Sequence, residues 1–192
     1  RGGELHGSTL KETDEYQSCT GYLCQKWIPK ASTYSIPSNS FSFYYYAYPY
    51  LRLPELYLSY AEADFEYNGS LSTQSLEYIN LVRKRCGLPT FQASWALAGG
   101  IPTGQKLRKV LHQERSIEFL FEGRRFHDLR RWKEADEHFT SVDEMKLTLN
   151  SDSTISYERN TVSRTWDDKM YLFPIPQSEI QKNPNLTQNP GW

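Results

Sequence analysis

The sequence has no run approaching the ~18–20 apolar residues that a membrane-spanning helix needs. Its charges almost cancel, 22 Lys and Arg against 23 Asp and Glu for a net charge of −1, so no electrostatic pull toward nucleic acid or an anionic bilayer is built in. Cysteine is scarce. Cys19, Cys24 and Cys86 leave at least one thiol unpaired within the chain, and the spacing of Cys19 and Cys24 allows a small loop without establishing it. The four histidines (His6, His112, His127, His138) form no HExxH pair and have no close cysteine, which argues against a zinc site. Serine-hydrolase motifs and phosphate-cradling glycine loops are missing as well. The adjacent Asp167 and Asp168 lie on a polar stretch, where neighbouring carboxylates are solvated and do not straddle a glycosidic bond. No catalysis, metal or cofactor is expected.

What the chain does have is an ordinary globular balance, 38% hydrophobic and 23% charged over 192 residues, enough for one substantial core. It opens on Arg1 with neither initiator methionine nor signal sequence, so residues 1–192 are read as a single domain cut from a longer protein. Aromatic residues are in excess, at fourteen Tyr, nine Phe and five Trp. Tyr and Trp present flat apolar faces with a polar tip, which suits both core packing and stacking on sugar rings.

Periodicity places two antiparallel helices, about Arg52–Asn68 and Thr73–Cys86. Pro54 sits in the first turn of the first helix, where its missing N–H removes no helical bond. Leu53, Leu56, Tyr57, Tyr60, Ala61 and Asp64 form the expected buried stripe, and Leu76, Ile79, Val82 and Arg83 that of the second helix. Gly69 ends the first helix, Ser70 or Ser72 caps the second, and Gly87 with Pro89 stops it. Upstream, a short strand is expected around Gly21–Ile28, a polar loop over Ser35–Ser42 and an extended strand over Phe41–Pro49. Whether Tyr44, Tyr45, Tyr46 and Tyr48 face core or ligand is open. Thr90–Gly104 reads as a loop with an exposed Trp95, and a third helix runs over Gln105–Glu122. Lys133–Phe139 extends the following helix or adds a turn, and Thr140–Asp168 is a long surface excursion that can hold a hairpin. Met170–Pro176 is extended, and Ser178 caps a short turn through Ile180.

The stretch His112–Trp132, HQERSIEFLFEGRRFHDLRRW, puts Val110, Leu111, Glu114, Ile117, Glu118 and Phe121 on one helical stripe. Glu114 and Glu118 then lie on the apolar side, where a lone charge costs several kcal/mol unless paired. Gly123 interrupts the helix, and a bend there lets Arg125 swing toward Glu118 or Glu114 and grip a carboxylate with two parallel hydrogen bonds. Asp128 can pair locally with Arg124 or Arg131. The reading is a structural ion-pair corner, with no acid pair for catalysis.

This stretch resembles the signature segment of the SusD/RagB family of outer-membrane nutrient-binding lipoproteins. Arg52–Gly69, RLPELYLSYAEADFEYNG, and Leu172–Trp192, LFPIPQSEIQKNPNLTQNPGW, resemble two further family segments, in the same order. The resemblance implies the C-terminal portion of a SusD-like protein. Its fold would be mainly α, tetratricopeptide-like helical hairpins with long irregular loops. It further implies binding of an oligosaccharide or other nutrient at the extracellular face of the outer membrane and delivery to a SusC-like TonB-dependent transporter. A lipid anchor would lie in the N-terminal part not present here. Family motifs map no ligand contact onto this chain. The candidates come from residue type: loop tryptophans beside polar side chains, Trp27 near Gln25 and Lys26, Trp95 near Gln92, and Trp166 near Arg164, Asp167 and Asp168. The competing reading is a helical-repeat scaffold that binds protein or peptide.

Overall fold

The computed structural model describes Cys24, residues 26–35 and residues 40–192. Its described residues divide into two compact units, Ile28–Arg125 and a second that takes in Phe126–Trp192. Cys19 and half of the strand expected over Gly21–Ile28 lie outside the described residues, and Lys26–Ile28 form a turn. Cys24 and Cys86 are free thiols.

In the unit Ile28–Arg125, β1 (Thr33–Ser35) pairs antiparallel with β2 (Ser40–Ser42), Thr33 opposite Ser42. The strand expected over Phe41–Pro49 is thus confined to its first two residues, and the rest is irregular. Tyr44, Tyr45, Tyr46 and Tyr48 all reach the surface, Tyr45 at 92% exposure.

Helix α1 (Leu53–Asn68) carries Pro54 in its first turn and ends at Gly69, whose φ of 70° brings its N–H onto the Phe65 carbonyl. Helix α2 (Thr73–Arg85) starts at Ser72, whose hydroxyl accepts from the Ser75 N–H. Asp64 joins the two helices: one carboxylate oxygen accepts from the Ser72 N–H at 2.8 Å and from the Ser75 hydroxyl, the other from Asn68. These bonds hold the Asp64 carboxyl well below its usual range, at about 2, with Ser75 the chief cause.

The first helix buries a face that shares Ala61, and Tyr57 at its edge, with the expected one and is otherwise rotated from it. Leu58, Ala61 and Phe65 point inward, whereas Leu53, Leu56 and Tyr60 are exposed. Apolar residues occur all round LPELYLSYAEADFEYN, so the pattern leaves the phase of the stripe ambiguous. Contact with α2 and α4 (Gly104–Glu118) selects it, around the small, wholly buried Ala61. Ile79 and Val82 of α2, together with Leu107 and Leu111 of α4, complete the same core. Each such side chain contributes about 1.5–3 kcal/mol when fully buried.

Thr90–Gly104 is not all loop. Helix α3 (Phe91–Ala96) forms there, capped by the Thr90 hydroxyl on the Ala93 N–H. Its first residue, Phe91, is wholly buried, and its N–H donates to Asn80 at 2.7 Å. Helix α4 stops at Glu118, short of the expected Glu122. Phe119 N–H still reaches the Arg115 carbonyl, but Phe121 (φ 61°) and Gly123 (φ 73°) then turn the chain through the left-handed region. Ile117, on the outward face of α4, and Phe121, in the turn itself, were expected inside and are exposed.

The other unit contains α5 (Arg125–Arg131, of which Phe126 onward belongs here) and α6 (Ala135–Phe139), separated at Lys133 with φ 60°. Its excursion is a hairpin. β3 (Ser141–Leu149) pairs antiparallel with β4 (Ile155–Ser163), Val142 opposite Val162, and the Asp152 carboxylate supports the turn by accepting from Thr154. A 3-10 turn at Asp168–Tyr171, capped by Asp167, takes the first part of the segment expected to be extended. Helix α7 (Gln177–Lys182) begins after Pro176, with no side-chain cap, so Ser178 does not play the expected role. The closing segment folds back on the proline-rich run. Gln188 pairs its amide with the Ile175 backbone at 2.8 and 2.9 Å, and Trp192 donates to the Lys169 carbonyl at 2.9 Å.

Among the described residues no helix is long and apolar enough to cross a membrane, and no cluster of His, Cys, Asp or Glu could hold a metal. The fold is mainly helical.

Candidate functional site

The four-residue connection between α1 and α2 makes them an antiparallel pair, and α4 packs on α1. This brings the ends of three helices together at the corner that the sequence marks. Glu118 is gripped by Arg52, at 2.7 Å, and by Arg85, at 2.7 and 2.9 Å. Glu122 takes Arg52 in a two-pronged grip through Nε and Nη2. The carboxylate side chains are only 6% and 8% exposed. For Arg52, burial works against the charged form, yet the bonds to Glu122 and Glu118 outweigh it and raise the pKa above the usual arginine value. Phe119 lies beneath, with the Arg52 and Arg115 guanidiniums 5.2 and 5.0 Å from its ring centroid. Alongside, Glu55 accepts from Arg124 at 2.8 Å.

Glu114 pairs with Arg83 of α2, which also donates to the Pro89 carbonyl and the Ser94 hydroxyl. Burial dominates over Arg83 and pushes the Glu114 carboxyl above its ordinary value. Arg125 donates to the Ser116 hydroxyl, and in the other unit Asp128 pairs with Arg131 at 2.9 Å. Cations were expected just past Gly123; Arg52, Arg83 and Arg85 come from elsewhere, the residue before α1 and the last turn of α2. The one available signal was the cluster of basic residues closing the second helix.

The three candidate tryptophans have different settings. Trp27 lies in the turn Lys26–Ile28, half-buried, with the Lys26 ammonium 5.9 Å from its ring; Gln25 lies outside the described residues. Trp166 is built into an aromatic cluster. Its ring meets Tyr171 edge-on at 5.2 Å and Phe139 at 5.3 Å, and its indole N–H is buried without a protein partner. That N–H cannot greet a ligand from solvent.

Trp95 is set otherwise. One side packs on the core beside Phe91, and the other forms a wall of an open groove of about 530 Å³. The opposite wall is one stripe of α4, with Gln105, Lys106, Lys109, Gln113 and Glu114. Gln92, the expected neighbour, bonds Asn80 and lines a different groove of about 640 Å³ on α2, with Leu76, Leu81 and Leu88. Nothing in the sequence around Trp95 pointed to α4 as its partner; only helix packing juxtaposes them. An aromatic plane facing amides and ammonium groups, in a groove within the roughly 300–1,000 Å³ of small-molecule sites, can stack a sugar ring and bond its substituents.

Comparison with known proteins agrees with this architecture. The SusD family model matches residues 2–192. The SusD-like protein P2 of Formosa agariphila is 28% identical over 143 residues, 74% of this chain and 25% of its own length. A SusD-like protein from Bacteroides fragilis superposes with a TM-score of 0.59 and 34% identity, covering 77% of this chain and 28% of that one. The structure named BT4246 superposes with a TM-score of 0.74 and 28% identity, covering 91% and 29%. The chain thus spans about a quarter of the length of these relatives. With nearly every residue matched and the tetratricopeptide-like helices in place, this chain belongs to the SusD family.

Proposed function

We propose that the chain is part of a cell-surface protein that captures a glycan or similar nutrient without chemistry and hands it to a TonB-dependent transporter of the SusC type. Family membership across residues 2–192 carries the reading. The Trp95 groove supports it as a place where a sugar can stack. The locked corner supports a role without catalysis, because a general acid or base must face its substrate, whereas Glu118 and Glu122 are buried and held by guanidiniums. Anchoring by a lipid on the longer family protein, at the extracellular face of the outer membrane, belongs to the same reading. Binding needs no cofactor.

Titration calorimetry against a panel of oligosaccharides tests the proposal. Trp95→Ala should weaken binding by ~1–3 kcal/mol, the scale of base–aromatic stacking, while Trp95→Phe keeps most of it. Unchanged affinity in a folded Trp95→Ala variant removes the groove from the site.

The groove on α2 favours a second reading, a peptide-binding scaffold. Exposed Leu81 and Leu88 line it beside Glu77 and Lys84, an apolar floor with a charged rim suited to a peptide. Failure to bind any glycan, with Leu81→Asp abolishing capture of a peptide, would favour that reading.

A further inference from the structure

The groove at Trp95 differs from a neutral sugar platform in its charge. Lys106 Nζ stands 5.8 Å from the Trp95 ring centroid, on the surface where a sugar would stack. Lys106 makes no ion pair among the described residues, and Lys109 follows three residues later on the same stripe. The groove's one carboxylate, Glu114, is already neutralised by Arg83 and is itself raised in pKa by burial. A sugar settling on Trp95 must push the Lys106 ammonium off the ring. A neutral sugar loses the cation–π contact and replaces it with nothing of equal strength. An anionic sugar offers the displaced ammonium a charge-assisted hydrogen bond in return.

We propose that the Trp95 groove is a subsite for an acidic sugar, a uronate or sulfate-bearing residue stacked on Trp95 with its anionic group against Lys106 and Lys109. This rests on the glycan-capture reading above and narrows it. A carboxylate and a sulfate ester share the chemistry required, so the probes must distinguish them.

The test is calorimetry on the 192-residue chain with three tetrasaccharides, from neutral galactan, polygalacturonate and carrageenan. At least one anionic probe should bind about tenfold more tightly than the neutral one, the scale of a hydrogen bond to a charged group. Lys106→Gln with Lys109→Gln should erase that preference, so that neutral and anionic probes bind alike to a variant whose circular dichroism is that of the wild type. Raising salt from roughly 50 to 300 mM should weaken only the anionic probes. Equal binding of neutral and anionic probes, unmoved by the lysine changes, overturns the inference and leaves glycan capture standing. Displacement of the anionic probes by inorganic sulfate at equal concentration also overturns it, since the groove would then be an anion site without sugar stacking. Absence of binding to all three probes overturns both readings.

Discussion

The guanidinium of Arg52, the residue before α1, reaches Glu118, the last residue of α4, at 2.7 Å across 66 positions of sequence, and the same guanidinium clasps Glu122. Arg52→Ala would take one guanidinium away from two carboxylates less than a tenth exposed. The expected cost is about 3 kcal/mol, at the lower end for a broken buried pair because Arg85 still holds Glu118. Arg85 is itself 56% exposed, and Arg85→Ala should cost under about 1 kcal/mol. Urea denaturation midpoints check the ranking; equal costs would show that the corner is not held through Arg52.

Asp64 ties the start of α2 to the end of α1. Asp64→Ala removes acceptors from Ser72 and Ser75 and should cost about 1–2 kcal/mol at pH 7. Since the folded carboxyl titrates at about 2, its contribution is complete above the ordinary aspartate value and drains away as pH falls toward 2. Melting of wild type and variant from pH 7 to pH 2 should show the gap closing in that window. A gap constant with pH would place the carboxyl at its ordinary value.

Glu114 behaves with the opposite sign. Its folded-state pKa stands above the unfolded value, so between the two the native state holds the extra proton and stability falls as pH rises through the window. Carboxyl-carbon NMR should find Glu114 titrating above free glutamate, and Glu114→Gln should remove that segment of the pH–stability curve. At pH 7 the variant should lie within about 1 kcal/mol of wild type, because the amide oxygen still accepts from Arg83. Titration below the free value would mean that Arg83 outweighs burial.

Two glycines with positive φ should differ in what they tolerate. At Gly123 (φ 73°) an added Cβ meets nothing within 4 Å, so Gly123→Ala costs only the left-handed backbone, about 1–2 kcal/mol, and Gly123→Asn less. At Gly191 (φ 84°) the Cβ falls 2.9 Å from Lys169 Cβ, so Gly191→Ala adds a clash to the same backbone cost. It should also loosen Trp192 from the Lys169 carbonyl, readable in tryptophan fluorescence. Equal melting temperatures for the two alanine variants would contradict the packing at Gly191.

Helix boundaries near strong local signals were legible before any coordinates. Pro54, Gly69, Ser72 and Gly87 punctuate α1 and α2 because their effects act within one turn of backbone. The buried character of Glu118 was legible for the same reason, as a carboxylate on an apolar stripe. Phase and partnership were not. In α1, apolar residues on every face left Leu58 and Phe65 indistinguishable from Leu53 and Leu56 until neighbours were packed. Helix α3 escaped notice because six residues are too few for a helical period, and Phe91 earns its place from burial and a bond to Asn80.

Local pattern by itself determined the antiparallel helix pair and the need to neutralise acids on an oily face, since each follows from propensity, capping and the cost of burying charge over a few residues, while the mainly helical class was implied by the resemblance of three segments to the SusD/RagB family. Tertiary structure alone decided which arginines answer those acids and which tryptophan stands open beside lysines. Arg52 and Glu118, or Trp95 and Lys106, meet only when helices cross, and helical repeats carry no information on such crossings.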